Sequence, residues 1–242
     1  MSVVVFGACS PIGRAIVTRL SFNGHSVAVV GTNVEVMKGM ENEANKIGTR
    51  VSAVALGKDE KETMEEADKV VGGMTGLVFI PPSNQVNGDI MDATQMQFNT
   101  VFAQRLTLPF RVIKAAIPHL KKQKSSSVVM INSSASVTPF INLGLYSAAS
   151  SAMASLARTL STQESILPIR VNSIITSTVH SDGSGGFWDD KEKASSFTGM
   201  IPLGRLGSPV DVAEAVQFLL SDRARYITGE SIALTGGMQL RL

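Results

Sequence analysis

The sequence predicts an α/β protein, an open, doubly wound parallel sheet of about seven strands flanked by helices. Three observations predict it. Short β-branched runs alternate with helical patterns along all 242 residues. The strands are apolar throughout rather than at every second residue, which fits a sheet covered on both faces. Glycines punctuate the turns, and no linker, repeat or composition break divides the chain, so 1–242 reads as one domain.

The elements follow in order. Met1 to Phe6 is a β-branched strand, and Pro11 to Asn23 a helix with apolar Ile12, Ile16, Val17 and Leu20. Ser10 is its predicted N-cap, with Pro11 at the first helical position. Ser26–Val30 is a strand, Val34–Lys46 a helix, Val51–Leu56 a strand and Lys58–Val71 a charged helix ending at Gly72-Gly73. Leu77–Ile80 is a strand stopped by Pro81-Pro82. A helical stretch at Thr94–Ala103 precedes a longer one through Lys122. Ser127–Ile131 and Ile169–Ile175 are strands on either side of a helix at Tyr146–Thr162. A helix at Val210–Leu220 and a strand at Ser231–Leu234 close the pattern. The glycine-rich stretch 181–196 reads as a flexible substrate loop or lid. Such a sheet is the Rossmann-type arrangement, whose ligands sit at the carboxyl ends of the strands.

Composition narrows the function. Lys and Arg total 22 against 20 acids, a net charge of +2, so neither nucleic acid nor a membrane surface is an expected partner. No apolar run is long enough to span a bilayer. The single cysteine, Cys9, excludes a disulfide scaffold. His25, His119 and His180 lack a cysteine or acid at ligand spacing, so no metal site is expected. No signal pattern opens the chain, which predicts a cytoplasmic protein. Leu240-Arg241-Leu242 matches a peroxisomal address in its last two positions only.

Several segments together resemble the short-chain dehydrogenase/reductase family. Gly7-Ala-Cys-Ser-Pro-Ile-Gly13 follows a strand and opens a helix, as the family's phosphate-binding Gly-x-x-x-Gly-x-Gly does. Ser133 stands thirteen residues before Tyr146, the spacing of the family's serine and tyrosine. Ile169-Arg-Val-Asn-Ser-Ile174, Pro202-Leu-Gly-Arg-Leu-Gly207, Asp211-Val-Ala213 and Tyr226-Ile-Thr-Gly-Glu230 match in the same order. The narrower likeness, through Trp188–Lys193 and the C-terminal Arg-Leu, is to NADP-dependent carbonyl reductases and retinol dehydrogenases.

The resemblance implies NADP or NAD as cofactor, a small carbonyl or alcohol substrate and a homo-oligomer, tetramer or dimer. It puts the cofactor at Gly7, Cys9, Ser10, Ile12 and Gly13, with Thr32 and Asn33 at the adenosine ribose. It makes Ser133 the carbonyl-orienting hydroxyl and Tyr146 the proton donor. The same comparison exposes departures. Pro11 replaces the middle glycine, and Phe79-Ile80-Pro81-Pro82 replaces Asn-Asn-Ala-Gly. Thr32-Asn33 offers neither the acid that selects NAD nor the arginine that selects NADP. Thr176-Ser177 replaces Pro-Gly after the sixth strand. The family's lysine, four residues beyond the tyrosine, is Ser150, and its asparagine is Arg105.

Without a neighbouring cation an ordinary phenol, pKa about 10, is ionised in only about one copy in a thousand at pH 7. Alcohol oxidation needs that phenolate, so classical dehydrogenase activity is expected to be weak or absent. The first reading is therefore a descendant of NAD(P)(H)-dependent oxidoreductases with impaired activity, in the limit a pseudoenzyme acting as a binding subunit. The alternative is an active NADPH-dependent carbonyl reductase with a rewired Ser133, Tyr146 and Arg105 site, in which the guanidinium reaches the space left by the lysine. An ion pair at the surface or between helices is the structural alternative for Arg105. A third reading is chemistry without a dinucleotide in the old cofactor pocket.

Overall fold

The computed structural model describes residues 1–82, 86–163, 168–179, 195 and 198–238. The strands are β1 (Ser2–Phe6), β2 (Ser26–Gly31), β3 (Arg50–Ala55), β4 (Gly76–Phe79), β5 (Ser127–Ser133), β6 (Arg170–Thr176) and β7 (Ser231–Leu234). The helices are α1 (Pro11–Phe22), α2 (Val34–Lys46), α3 (Glu60–Val71), α4 (Gln95–Phe102), α5 (Leu108–Leu120), α6 (Gly144–Ser161) and α7 (Pro209–Leu220). All strands pair in parallel, in the order β3-β2-β1-β4-β5-β6-β7. The strand order reverses between β1 and β4, the switch point where such sheets place ligands.

Alternate side chains of each strand feed opposite faces. Val3 and Val5 join Ile16 and Leu20 of α1, Met37 of α2 and Val216 of α7. Val4 and Phe6 join Met64 of α3, Ile113 of α5 and Met153 of α6. This double covering is the physical reason for the uninterrupted apolar strands. The predicted elements agree with the observed ones to within a few residues. The two helical stretches at 94–122 are joined by one widened π-turn, Ala103–Thr107, that no sequence pattern announced. Among the described residues no helix is long and apolar enough to cross a membrane.

The 202–211 segment owes its shape to a hydrogen-bonded helix start. The Ser208 hydroxyl accepts from the Asp211 N–H at 3.2 Å, and the Asp211 carboxylate accepts from the Ser208 N–H at 2.8 Å. Arg205 grips both carboxylate oxygens, at 2.7 and 2.9 Å. That grip, with Ser208, holds the Asp211 carboxyl far below the usual carboxylate range. A depressed carboxyl pKa contributes stability that is complete above the unfolded pKa and fades as pH falls below it. Asp211→Asn is therefore expected to lose about 1 kcal/mol at pH 7 in urea unfolding. Its deficit against the parent should shrink below pH 4, since the ordinary value is 3.8.

A second constraint lies at the end of β1. Gly7 has φ +81°, and a Cβ there would stand 2.3 Å from the Ile80 carbonyl oxygen. Only glycine permits this approach. Gly7→Ala is expected to cost about 2 kcal/mol or more in the same assay.

Candidate functional site

A cavity of about 620 Å³ opens at the carboxyl ends of the strands. Ser10, Pro11 and Ile12 reach it from the turn after β1, and Ile80 and Pro81 from the end of β4. Ile131–Ala135 enter from β5, and Thr176–Val179 from β6. Phe140, Leu143, Tyr146 and Arg105 complete the wall. Five of the residues expected at the site thus share one space: Ser10, Ile12, Ser133, Tyr146 and Arg105.

The turn after β1 is tight. A Cβ on Gly13 would meet the Ala8 backbone at 2.6 Å, so glycine lets α1 start directly against the strand end. Ser10 caps α1, as its position predicts. Its hydroxyl accepts from the Gly13 N–H at 3.0 Å and donates to the Gly7 carbonyl at 3.0 Å. Pro11 contributes no N–H. Of the first-turn donors, one is thus absent and one is occupied. The Ile12 N–H remains as a donor with no carbonyl in reach inside the helix.

The opposite wall is built around Asn132, which no sequence motif singled out. It is 3% exposed. Its Nδ2 donates to the Ser150 carbonyl at 2.9 Å, and its Oδ1 accepts from the Ser133 N–H at 2.8 Å. Its own carbonyl accepts from the Thr176 hydroxyl at 3.1 Å. One side chain and its carbonyl thereby tie β5, β6 and α6 together at the site. Ser133 ends β5, and its hydroxyl accepts from the Ala135 N–H at 3.2 Å, which leaves its proton to donate. The only hint in the sequence was a lone asparagine in an apolar strand.

Arg105 is the most unusual group. It lies on the π-turn between α4 and α5 and is 4% exposed. Its guanidinium carbon stands 3.8 Å from the centroid of the Tyr146 ring. Its Nη1 donates to the Ser150 hydroxyl at 3.3 Å, and its Nε, itself buried, has no partner among the described residues. No carboxylate pairs with it among those residues, so the ion-pair expectation gives way to a ring-stacked, buried cation. Burial pulls its pKa below the ordinary value, and Tyr146 draws it partly back. An arginine keeps its charge under such shifts. The cation therefore stands over the tyrosine and touches the residue at the family's lysine position.

The other residues expected to bind a cofactor do not line this cavity. Gly7 packs under Ile80, and exposed Thr32 follows β2. Asn33 is the N-cap of α2, accepting from the Val36 N–H at 3.1 Å. Cys9 is partly buried, and its thiol lies 3.8 Å from the Asn33 carbonyl. His119 pairs with Asp68 at 2.8 Å, a link between α5 and α3 that sequence spacing did not show. No cluster of metal-ligating side chains occurs among the described residues. The expected loop 181–196 lies outside them apart from Ser195, as do His180 and the C-terminal Leu240-Arg241-Leu242.

Comparisons with known proteins agree with this geometry. A family model described as enoyl-(acyl carrier protein) reductase matches residues 7–239. Human dehydrogenase/reductase SDR family member 4 is 31% identical over 243 residues, covering 99% of this chain and 87% of the relative. A chloroplastic tropinone reductase homolog of Arabidopsis thaliana is 27% identical over 244 residues, covering 99% and 76%. A short-chain type dehydrogenase/reductase from Mycobacterium ulcerans superposes with a TM-score of 0.92 at 25% identity, over 99% of this chain and 90% of that one. An NADPH-bound short chain oxidoreductase from Pseudomonas aeruginosa PAO1, described as containing an atypical catalytic center, gives 0.88 at 25% identity over 100% and 98%. Strand order, the Ser133 and Tyr146 wall and matches over nearly the whole chain lead to one assignment: the chain belongs to the short-chain dehydrogenase/reductase family.

Proposed function

We propose that this protein is an NADPH-dependent carbonyl reductase in which Arg105 takes over the electrostatic task of the family's lysine. The observation that carries the reading is the guanidinium 3.8 Å from the Tyr146 ring centroid.

The residues present fit a nicotinamide dinucleotide with a reduced donor set. The start of α1 and the Tyr146 wall border the same cavity, so one extended ligand spans both. The Ile12 N–H would hold the pyrophosphate at the helix N-terminus, while Ser10 shapes the turn beside it through its bonds to Gly7 and Gly13. Gly7 and Gly13 shape the turn there, and Cys9 lines it toward Asn33. Thr32 and Asn33 would face the adenosine ribose. The absence of an acid at those two positions leaves a 2′-phosphate unrepelled. The nicotinamide, when bound, supplies the hydride that the carbonyl carbon accepts.

The chain's own groups do the rest. Ser133 donates a hydrogen bond to the carbonyl oxygen and orients it. Tyr146 would give its phenolic proton to that oxygen, so the carbonyl gains a hydride (one hydrogen with two electrons) at carbon and one proton at oxygen and becomes an alcohol. The proton leaves a phenolate behind. Arg105, stacked on the Tyr146 ring and paired with no carboxylate of the described residues, stabilises that anion in a low-dielectric setting. Asn132 positions Ser133 and Ser150 and thereby the whole wall.

The test is a titration with NADPH and NADH followed by reduction of a reactive dicarbonyl. Binding in the micromolar range and measurable turnover are expected. Tyr146→Phe should lower kcat by about 10²-fold or more, and Arg105→Ala by about the same. Arg105→Lys should recover only part, because a lysine does not stack as a planar fork. No binding at millimolar nucleotide, or turnover indifferent to Tyr146→Phe, overturns the reading.

A further inference from the structure

Among the described residues Arg105 is the one charged side chain lining the cavity, and no acid lines it. A guanidinium carries five N–H donors. Among the described residues one of them is used, in a long bond of 3.3 Å to Ser150, and the Nε has no partner. A buried cation without a counter-ion is costly, and a ligand that brings the anion recovers that cost. Arg105 is also placed to meet the reacting end of a ligand, since it stacks on the Tyr146 ring and lines the same cavity. Ile80, Phe140, Leu143 and Val179 give the wall an apolar part, beside the serine, threonine and asparagine residues of the strand ends.

We infer that the substrate carries its own anion beside the reacting carbonyl. It is a 2-oxo acid with an apolar substituent, whose carboxylate pairs with Arg105 while Ser133 and Tyr146 hold the ketone oxygen. This inference rests on the reductase reading for its chemistry, which converts the 2-oxo acid to a 2-hydroxy acid. The hydride goes to the ketone carbon and the Tyr146 proton to its oxygen. The carboxylate is unchanged and serves only for binding. Arg105 forms charge-assisted, fork-like hydrogen bonds to it, the geometry for which guanidinium is suited.

The test compares phenylglyoxylate with its methyl ester, which differ in the charge and little else. With saturating NADPH, the acid is expected to show a KM lower than the ester's by about tenfold or more. Arg105→Met should erase that preference, and Arg105→Lys should retain part of it. Equal KM values for acid and ester, or a preference that survives Arg105→Met, overturn the inference while leaving the reductase reading intact. Binding is read separately, without nucleotide, as a rise in the unfolding midpoint with added ligand. A rise with phenylglyoxylate but not with the ester, absent in Arg105→Met and weakened in Arg105→Lys, supports the anion site even if neither compound is turned over. No rise and no turnover with the acid overturns it. Should Arg105→Met fail to fold, Arg105→Lys carries the comparison, because it keeps the charge and removes the fork.

Discussion

A cation buried against the Tyr146 ring is the constraint on which the site depends. The Arg105 guanidinium is 4% exposed, and no carboxylate pairs with it among the described residues. Leaving such a charge alone in the interior is unfavourable by several kcal/mol. Two contacts offset part of that. The Tyr146 ring presents its negative face at 3.8 Å, and a desolvated cation–π pair contributes about 2 kcal/mol. Ser150 accepts one of the N–H groups. An arginine suits this place better than a lysine, because its planar charge is weakly hydrated and stacks on a ring. The small Ser150 side chain supplies both the room and the acceptor. Arg105 and Ser150 thus depend on one another in the packed site.

The strand ends answer to a second constraint, close backbone approach. Gly7 lies so near the Ile80 carbonyl that no side chain fits between them. That proximity explains how Ile80-Pro81 serves where a flexible loop is expected. The two prolines terminate β4, and Ile80 closes the floor beneath Gly7. Pro11 has a comparable double effect. It starts α1 in a helical conformation, yet withdraws one N–H from the anion-binding end. Ser10 compensates the helix but not the ligand, since its hydroxyl accepts from Gly13 within the turn.

How much of this the sequence disclosed depends on how local each signal is. The strands and helices were legible because their apolar periods are set by two packed faces, and Ser10-Pro11 declared a helix start by residue type alone. Ser133 and Tyr146 were legible through their spacing. Arg105 was found only as a departure from the family pattern, and its surroundings were not readable. Ala-Gln-Arg-Leu-Thr at 103–107 contains nothing against an ordinary helix, so the π-turn comes from tertiary packing that overrides local preference. Asn132 escaped notice because an asparagine near a strand end has many ordinary explanations. Its role emerges only when β6 and α6 arrive from 44 and 18 residues away. The Asp68 and His119 pair, 51 residues apart, is hidden for the same reason.

Moving the cation from α6 to the π-turn also changes what controls it. A lysine at position 150 would hang from the same helix as Tyr146, one turn on, and their separation would be set by helix geometry alone. Arg105 hangs from a different element. Its distance to the tyrosine depends on how the 95–107 segment seats against α6, where Val101 packs on Leu145 and Ala149. Leu145 and Ala149 flank Tyr146 and Ser150 in sequence, so the apolar contact and the polar one are interlocked. Any shift of α4 along α6 moves the charge relative to the phenol. The positive field at the Tyr146 phenol is therefore a property of tertiary packing in this protein, rather than of one helix.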